Sequence, residues 1–137
     1  MWKFLIYSPR TPQSKFSYYR LKNSHCDRLK DSKKLRNVYP DKIGVIVEPD
    51  TSFINMGGDN LMKTFKYILD YDYKLINLMI YLRKILFIEP SDSIFFFAGD
   101  NSQYIPNLSD TIGKIANKCI SSDGFLYITF TKEESFG

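Results

Sequence analysis

Few residues in this chain could carry chemistry, and most of those stand in the wrong company. His25 lies beside Cys26, the residue types of a thiol nucleophile and its base. Neighbours on a helix point to different faces, and His25 is the only histidine, which speaks against a thiol protease and a His-rich metal site. Asp70 and Asp72 begin like a calcium loop, yet Tyr81 occupies the twelfth position, where a bidentate glutamate belongs. Gly57-Gly58 has no following Lys-Ser or Lys-Thr to hold phosphate and reads as a turn. Asn107-Leu108-Ser109 is formally a glycosylation sequon, but it reads as the opening of a helix. The last six residues, KEESFG, differ in kind: a base, two acids, a serine, an aromatic and a bare glycine follow a run that reads as a strand. Glu133 and Glu134 have no rigid site around them and serve as solvating charges. The tail as a whole has the composition of a reactive handle. No enzyme, no cofactor and no metal site is read from these residues.

A scaffold must carry that handle. At 137 residues the chain has room for one compact domain, and 44% apolar with 16% aromatic residues supply a core. Its longest apolar runs, such as 78–82, are too short to span a bilayer. WKFLIY at the start is a poor secretory signal, and two cysteines are too few for a disulfide framework, so the expected compartment is the cytosol. Charge is uneven. Residues 1–42 hold 11 Lys/Arg against three acids (+8), whereas residues 43–137 hold eight against 12 (−4), summing to +4. A basic first third suggests a surface that meets something anionic, although a solvated helix face explains charge alone.

Periodicity places the elements. Helical spacing runs from about Cys26 to Asn37, anchored by Leu29 and Leu35, and Pro40 ends it at Tyr39. KIGVIVE (42–48) is β-branched and nearly continuous, a strand halted by Pro49. A loop containing Gly57-Gly58 leads to a second strand, FKYILD (65–70). From Lys74 the period lengthens, and Leu75, Leu78, Met79, Leu82, Ile85 and Leu86 form one helix face. SIFFFAG (93–99) is a third strand. Leu108, Ile112, Ile115 and Cys119 mark a further helix, and 124–131 is a final strand with apolar groups on both faces. Such a strand belongs inside a sheet. Helix, hairpin, crossover helix, strand, short helix and central strand make an α+β, ubiquitin-like β-grasp: a four-stranded mixed sheet with a crossover helix, preceded by an N-terminal helical region. The expected division is a basic, partly helical extension over 1–38 and the β-grasp domain with its tail over 39–137. WKFLIY could pack on that body, pair as an extra strand or dip into a membrane interface; packing is the favoured reading.

KLRNVYPDKIGVIVEP, FKYILDYDYKLINLMIYLRKIL, SIFFFAGDN and DGFLYITFTKEESFG, in that order, resemble the autophagy ubiquitin-like modifiers of the GABARAP and microtubule-associated light chain 3 type. The resemblance covers roughly 34–137, and residues 1–33 match less well. It implies that Gly137 is activated by an ATP-dependent enzyme, passed through thioesters by a conjugating enzyme and joined to phosphatidylethanolamine. Glycine suits that role because an acyl carbon without a neighbouring Cβ is the least hindered to attack, and Phe136 gives the partner enzymes a bulky grip. A cysteine protease would process or deconjugate the product. The implied location is the cytoplasm and, after lipidation, autophagosomal or related membranes.

The same resemblance implies capture of short acidic-flanked motifs carrying an aromatic residue and, three positions later, an aliphatic one. Lys66-Tyr67-Ile68-Leu69 matches the family's docking strand. The aromatic pocket would use Asp31, Leu35, Ile46, Lys66, Ile68 and Phe125. The aliphatic pocket would use Tyr67, Leu69, Tyr73, Leu78, Tyr81 and Leu82, and Lys42, Lys66 and Arg83 would attract the motif's acids. Ordinary core packing is the competing account of the apolar residues, above all of Leu69, Leu78 and Leu82. Gly44 stands where the family has proline, which should remove part of a pocket wall and loosen the backbone; Asp70 also replaces a proline. Tyr73 and Tyr81 are bulkier than the expected aliphatics, which predicts a shallower second pocket. Two other functions compete: a modifier joined to a partner protein's lysine, and a basic nucleic-acid-binding domain stacking bases on Phe16, Tyr18 and Tyr19. Nucleic acid is not the expected partner.

Overall fold

The computed structural model describes residues 17–50 and 64–132. WKFLIY, Phe16, the Gly57-Gly58 loop and the tail bearing Phe136 and Gly137 lie outside the described residues. A short helix, α1 (Tyr18–Lys22), stands where no element was expected, capped by Ser17, whose hydroxyl accepts from the Arg20 N–H at 3.2 Å. α2 (His25–Val38) follows, and its Ser24 cap accepts from the Asp27 N–H at 3.1 Å. Asp27 in its first turn and Arg36 in its last favour the helix dipole. α2 has almost no apolar stripe. Leu29 and Leu35 are half-buried, and its only fully buried residue is Ser32.

The strands are β1 (Lys42–Pro49), β2 (Phe65–Asp70), β3 (Ile94–Ala98) and β4 (Leu126–Lys132), in the order β2-β1-β4-β3. β1 and β2 are antiparallel from Lys42↔Asp70 to Val47↔Phe65. β1 and β4 are parallel, Val45 opposite Leu126, and β3 closes the sheet antiparallel to β4. The doubly apolar last strand is central, as its pattern required, and the β-grasp arrangement is present. Between β2 and β3 runs α3 (Leu75–Ile85), which buries Leu75, Leu78, Met79 and Leu82. Its end is abrupt: Phe87 is left-handed (φ 54°) and 90% exposed. α4 (Ile112–Cys119) precedes β4. It begins four residues later than the apolar spacing suggested, because Leu108 is exposed in a turn. The sequon therefore lies ahead of the helix, not at its opening.

The two faces of the sheet build two cores of unequal size. Ile43, Val45 and Val47 of β1, Phe65, Tyr67 and Leu69 of β2, and Leu126, Ile128 and Phe130 of β4 pack with α3 and α4. On the opposite face Ile46, Phe125 and Tyr127 pack with Tyr19 of α1 and Leu35 of α2. The alternation of strand side chains sorts the residues between these layers.

Candidate functional site

Among the described residues β2 is one of the two terminal strands of the sheet, the position from which an added strand can be recruited. Its residues alternate between the two cores. Lys66 and Ile68 share the small-core face with Ile46 and Phe125, whereas Tyr67 and Leu69 enter the large core. The two sets of residues singled out in the sequence therefore lie on opposite faces of one edge strand. That is what alternate side chains of a docked extended segment would meet.

On the small-core side, Phe125 is fully buried and Ile46 is 1% exposed, with Leu35 against them. The Lys66 ammonium lies 5.7 Å from the Phe125 ring centroid and 5.1 Å from that of Tyr19. Burial lowers its pKa, and the charge of Asp31 partly opposes that shift. Lys66 is thus an enclosed cation capping aromatic rings. Gly44 does not open a wall as expected. A Cβ there would fall 2.7 Å and 2.8 Å from Phe125 ring carbons and 3.3 Å from a Leu35 methyl, so the neighbours already fill that space. Gly44 also sits in regular pairing with Ile68. The hollow bounded by Leu35, Lys42, Gly44 and Ile68 amounts to about 10 Å3.

On the large-core side, Leu69, Leu78 and Leu82 are 5%, 1% and 0% exposed and belong to the core, where they form a floor. Tyr73 and Tyr81 make the rim, and Tyr67 is buried beneath it. Tyr67 meets Tyr81 edge-on at 5.9 Å and stacks on Phe65 at 6.1 Å. Tyr73 is half-buried against the same core, and burial, then the charge of Tyr81, raises its pKa. Two of the three expected motif-attracting bases are otherwise engaged. Lys42 pairs with Asp70, which raises the Lys42 pKa, and Arg83 donates to the carbonyls of Glu89 (3.3 Å) and Asp92 (2.8 Å).

Sequence reasoning missed the polar joint behind this site. Asp123, fully buried, accepts from Arg28 Nη1 and from the Tyr127 hydroxyl, each at 2.6 Å, and from the Phe125 N–H at 2.9 Å. Ser32 donates to the Asp123 carbonyl. This ties polar α2 to the start of β4 and sets the height of Phe125. The available signal was the Asp of DGFLY, which by itself reads as a turn residue. Glu48 was missed as well; its buried carboxylate accepts from the Tyr19 N–H at 2.9 Å and from Thr64 Oγ1 at 2.6 Å. Tyr19 is only 7% exposed, which removes it from any base-stacking surface. His25 does not face a thiol partner; its Nε2 is 3.2 Å from Ser122 Oγ.

A mixed sheet grasping a crossover helix, with two further helices on the opposite face ahead of the first strand, defines a ubiquitin-like protein with an N-terminal helical addition. The family model described as "Autophagy protein Atg8 ubiquitin like" matches residues 27–137, and the chain belongs to that family. The crystal structure of Trypanosoma brucei ATG8 is similar to it at 26% identity and a TM-score of 0.71, over 90% of this chain and 100% of that one. The protein is accordingly an Atg8-like ubiquitin-like modifier of autophagy, not an enzyme.

Proposed function

We propose that this modifier is conjugated through Gly137 to phosphatidylethanolamine and, once on an autophagosomal membrane, recruits receptors and adaptors through the β2 edge. The observation that carries the recruiting half is the distribution of β2 side chains over two cores. Lys66 and Ile68 border an aromatic cluster, while Tyr67 and Leu69 border an apolar floor. A docked strand presents residues to both sides, so an aromatic-x-x-aliphatic motif suits this edge. The rim of Tyr73 and Tyr81 over the buried Tyr67 supports a shallow aliphatic pocket. Pairing of Lys42 with Asp70 leaves Lys66 as the main attraction for acidic flanks.

Conjugation rests on family membership and on the chemistry of an unhindered glycine acyl carbon. Activating and conjugating enzymes would form thioesters with Gly137, the membrane lipid's amine would displace the last thiolate, and a cysteine protease would process or reverse the bond. The test is incubation of the chain with the cognate activating and conjugating enzymes, ATP and phosphatidylethanolamine vesicles, followed by mass spectrometry of the C-terminal peptide. A phospholipid adduct on wild type, absent from Gly137→Ala, supports the proposal. Wild type that stays unmodified, or carries only an isopeptide to a partner lysine, overturns it.

A further inference from the structure

The pocket assigned to a partner's aromatic side chain already holds one, and it comes from this chain. Tyr19 meets Phe125 edge-on at 5.7 Å, packs with Ile46 and Leu35, and lies under the Lys66 ammonium at 5.1 Å. Burial, and after it the charge of Asp31, raises the pKa of the Tyr19 hydroxyl. Five of the six residues expected around a bound aromatic thus surround Tyr19. The hollow along Leu35, Gly44 and Ile68 amounts to about 10 Å3, room for a single water and far too little for an indole.

The hold on Tyr19 is local and releasable. α1 is a single turn, too short to persist unless it is docked. Among the described residues, besides the ring, α1 is held by the Tyr19 N–H to Glu48, by Arg28, which donates to the Asn23 carbonyl at 3.0 Å, and by Arg20, which pairs with the Asp100 carboxylate at 2.9 Å, donates to its carbonyl at 2.6 Å and covers the Tyr127 ring at 4.2 Å. The fit is also imperfect, since the Tyr19 hydroxyl is buried with no hydrogen-bond partner among the described residues, a costly state for a polar group.

We infer that Tyr19 is a resident stand-in for the partner's aromatic residue, and that α1 must lift off before a motif docks. The inference rests on the edge-docking reading above. Affinity for a partner is then scaled down by the fraction of molecules with the pocket open. Tyr19 becomes a threshold that weak motifs fail to pass.

The test titrates the full-length chain with a synthetic peptide of Glu-Glu-Trp-x-x-Leu type by calorimetry. Wild type is compared with Tyr19→Ala and with Arg20→Ala, which loosens α1 from outside the pocket. Both variants should bind about 3- to 10-fold more tightly. In wild type the peptide should also speed hydrogen exchange at the Leu21 and Asn23 amides, which bond to Ser17 and Tyr19. Peptide bound equally by all three chains, with those amides still protected, makes Tyr19 a fixed wall: the inference falls and edge docking stands. Peptide bound by none of them brings down edge docking and the inference together. Circular dichroism checks folding, and if Tyr19→Ala fails to fold, Arg20→Ala decides.

Discussion

Replacing Gly44 with alanine tests the packing behind the aromatic pocket. The added methyl would lie 2.7–2.8 Å from two carbons of a fully buried Phe125 ring and 3.3 Å from Leu35. Carbon pairs settle near 3.5–4.0 Å, so the ring has to retreat by about 0.7 Å or more. Asp123 fixes the backbone of that residue through the Phe125 N–H, and Tyr19 blocks the ring on another side. Overpacking of this kind costs about 1–3 kcal/mol. Relief of glycine's entropy penalty in a strand returns roughly 0.5–1 kcal/mol. The central net expectation is about 1 kcal/mol of destabilisation, measured by urea unfolding at constant m-value. The cause is checked by a double-mutant cycle. With Phe125→Leu the clash is removed, and the two substitutions should couple by at least about 0.5 kcal/mol in the favourable sense. A Gly44→Ala protein as stable as wild type, or strict additivity with Phe125→Leu, refutes the reasoning.

Asp123→Ala strands a partly buried guanidinium, a buried hydroxyl and a buried amide at once, and should cost about 3–5 kcal/mol. Urea unfolding measures it, and a loss below about 1 kcal/mol contradicts the role of this carboxylate as the joint between α2 and β4. Alkaline pH should act through the tyrosines. Burial, the largest cause in each case, pushes the hydroxyls of Tyr19, Tyr67 and Tyr127 well above the ordinary value. The unfolded chain ionises them near pH ~10 while the folded one does not, so stability should hold below that pH and fall progressively above it. Ultraviolet phenolate titration should show these three lagging behind the exposed tyrosines until the fold is lost; a single transition for all ten is the contrary result.

The parts of this molecule that sequence alone determined are those written in local periodicity. The nearly continuous β-branched run KIGVIVE, the strand FKYILD, the 3.6-residue spacing of Leu75, Leu78, Met79 and Leu82, and the doubly apolar FLYITF specify a hairpin, a crossover helix and a central strand. Each signal lies within one element, so it can be read without knowing the neighbours. α4 was misjudged by one turn because Leu108 continues the apolar spacing while its backbone makes a turn ahead of the Thr111 cap. α1 was missed because one helical turn is too short to show a period.

The site divides along the same line. Its edge-strand residues were legible because a strand's alternation assigns Lys66 and Ile68 to one face and Tyr67 and Leu69 to the other. Which of them stay open was not legible. Lys42 is answered by Asp70 across the strand pair, Arg83 by carbonyls of the following loop, and Gly44 by a ring 81 positions away in sequence, just ahead of β4. Asp123 looks like a turn residue until α2 brings Arg28 and Ser32 to it. Tyr19 looks like a surface aromatic in a basic segment until Glu48 catches its amide and Phe125 its ring. Short-range spacing constrains which way a side chain points, whereas the packing of separate elements and loops decides what it finds there.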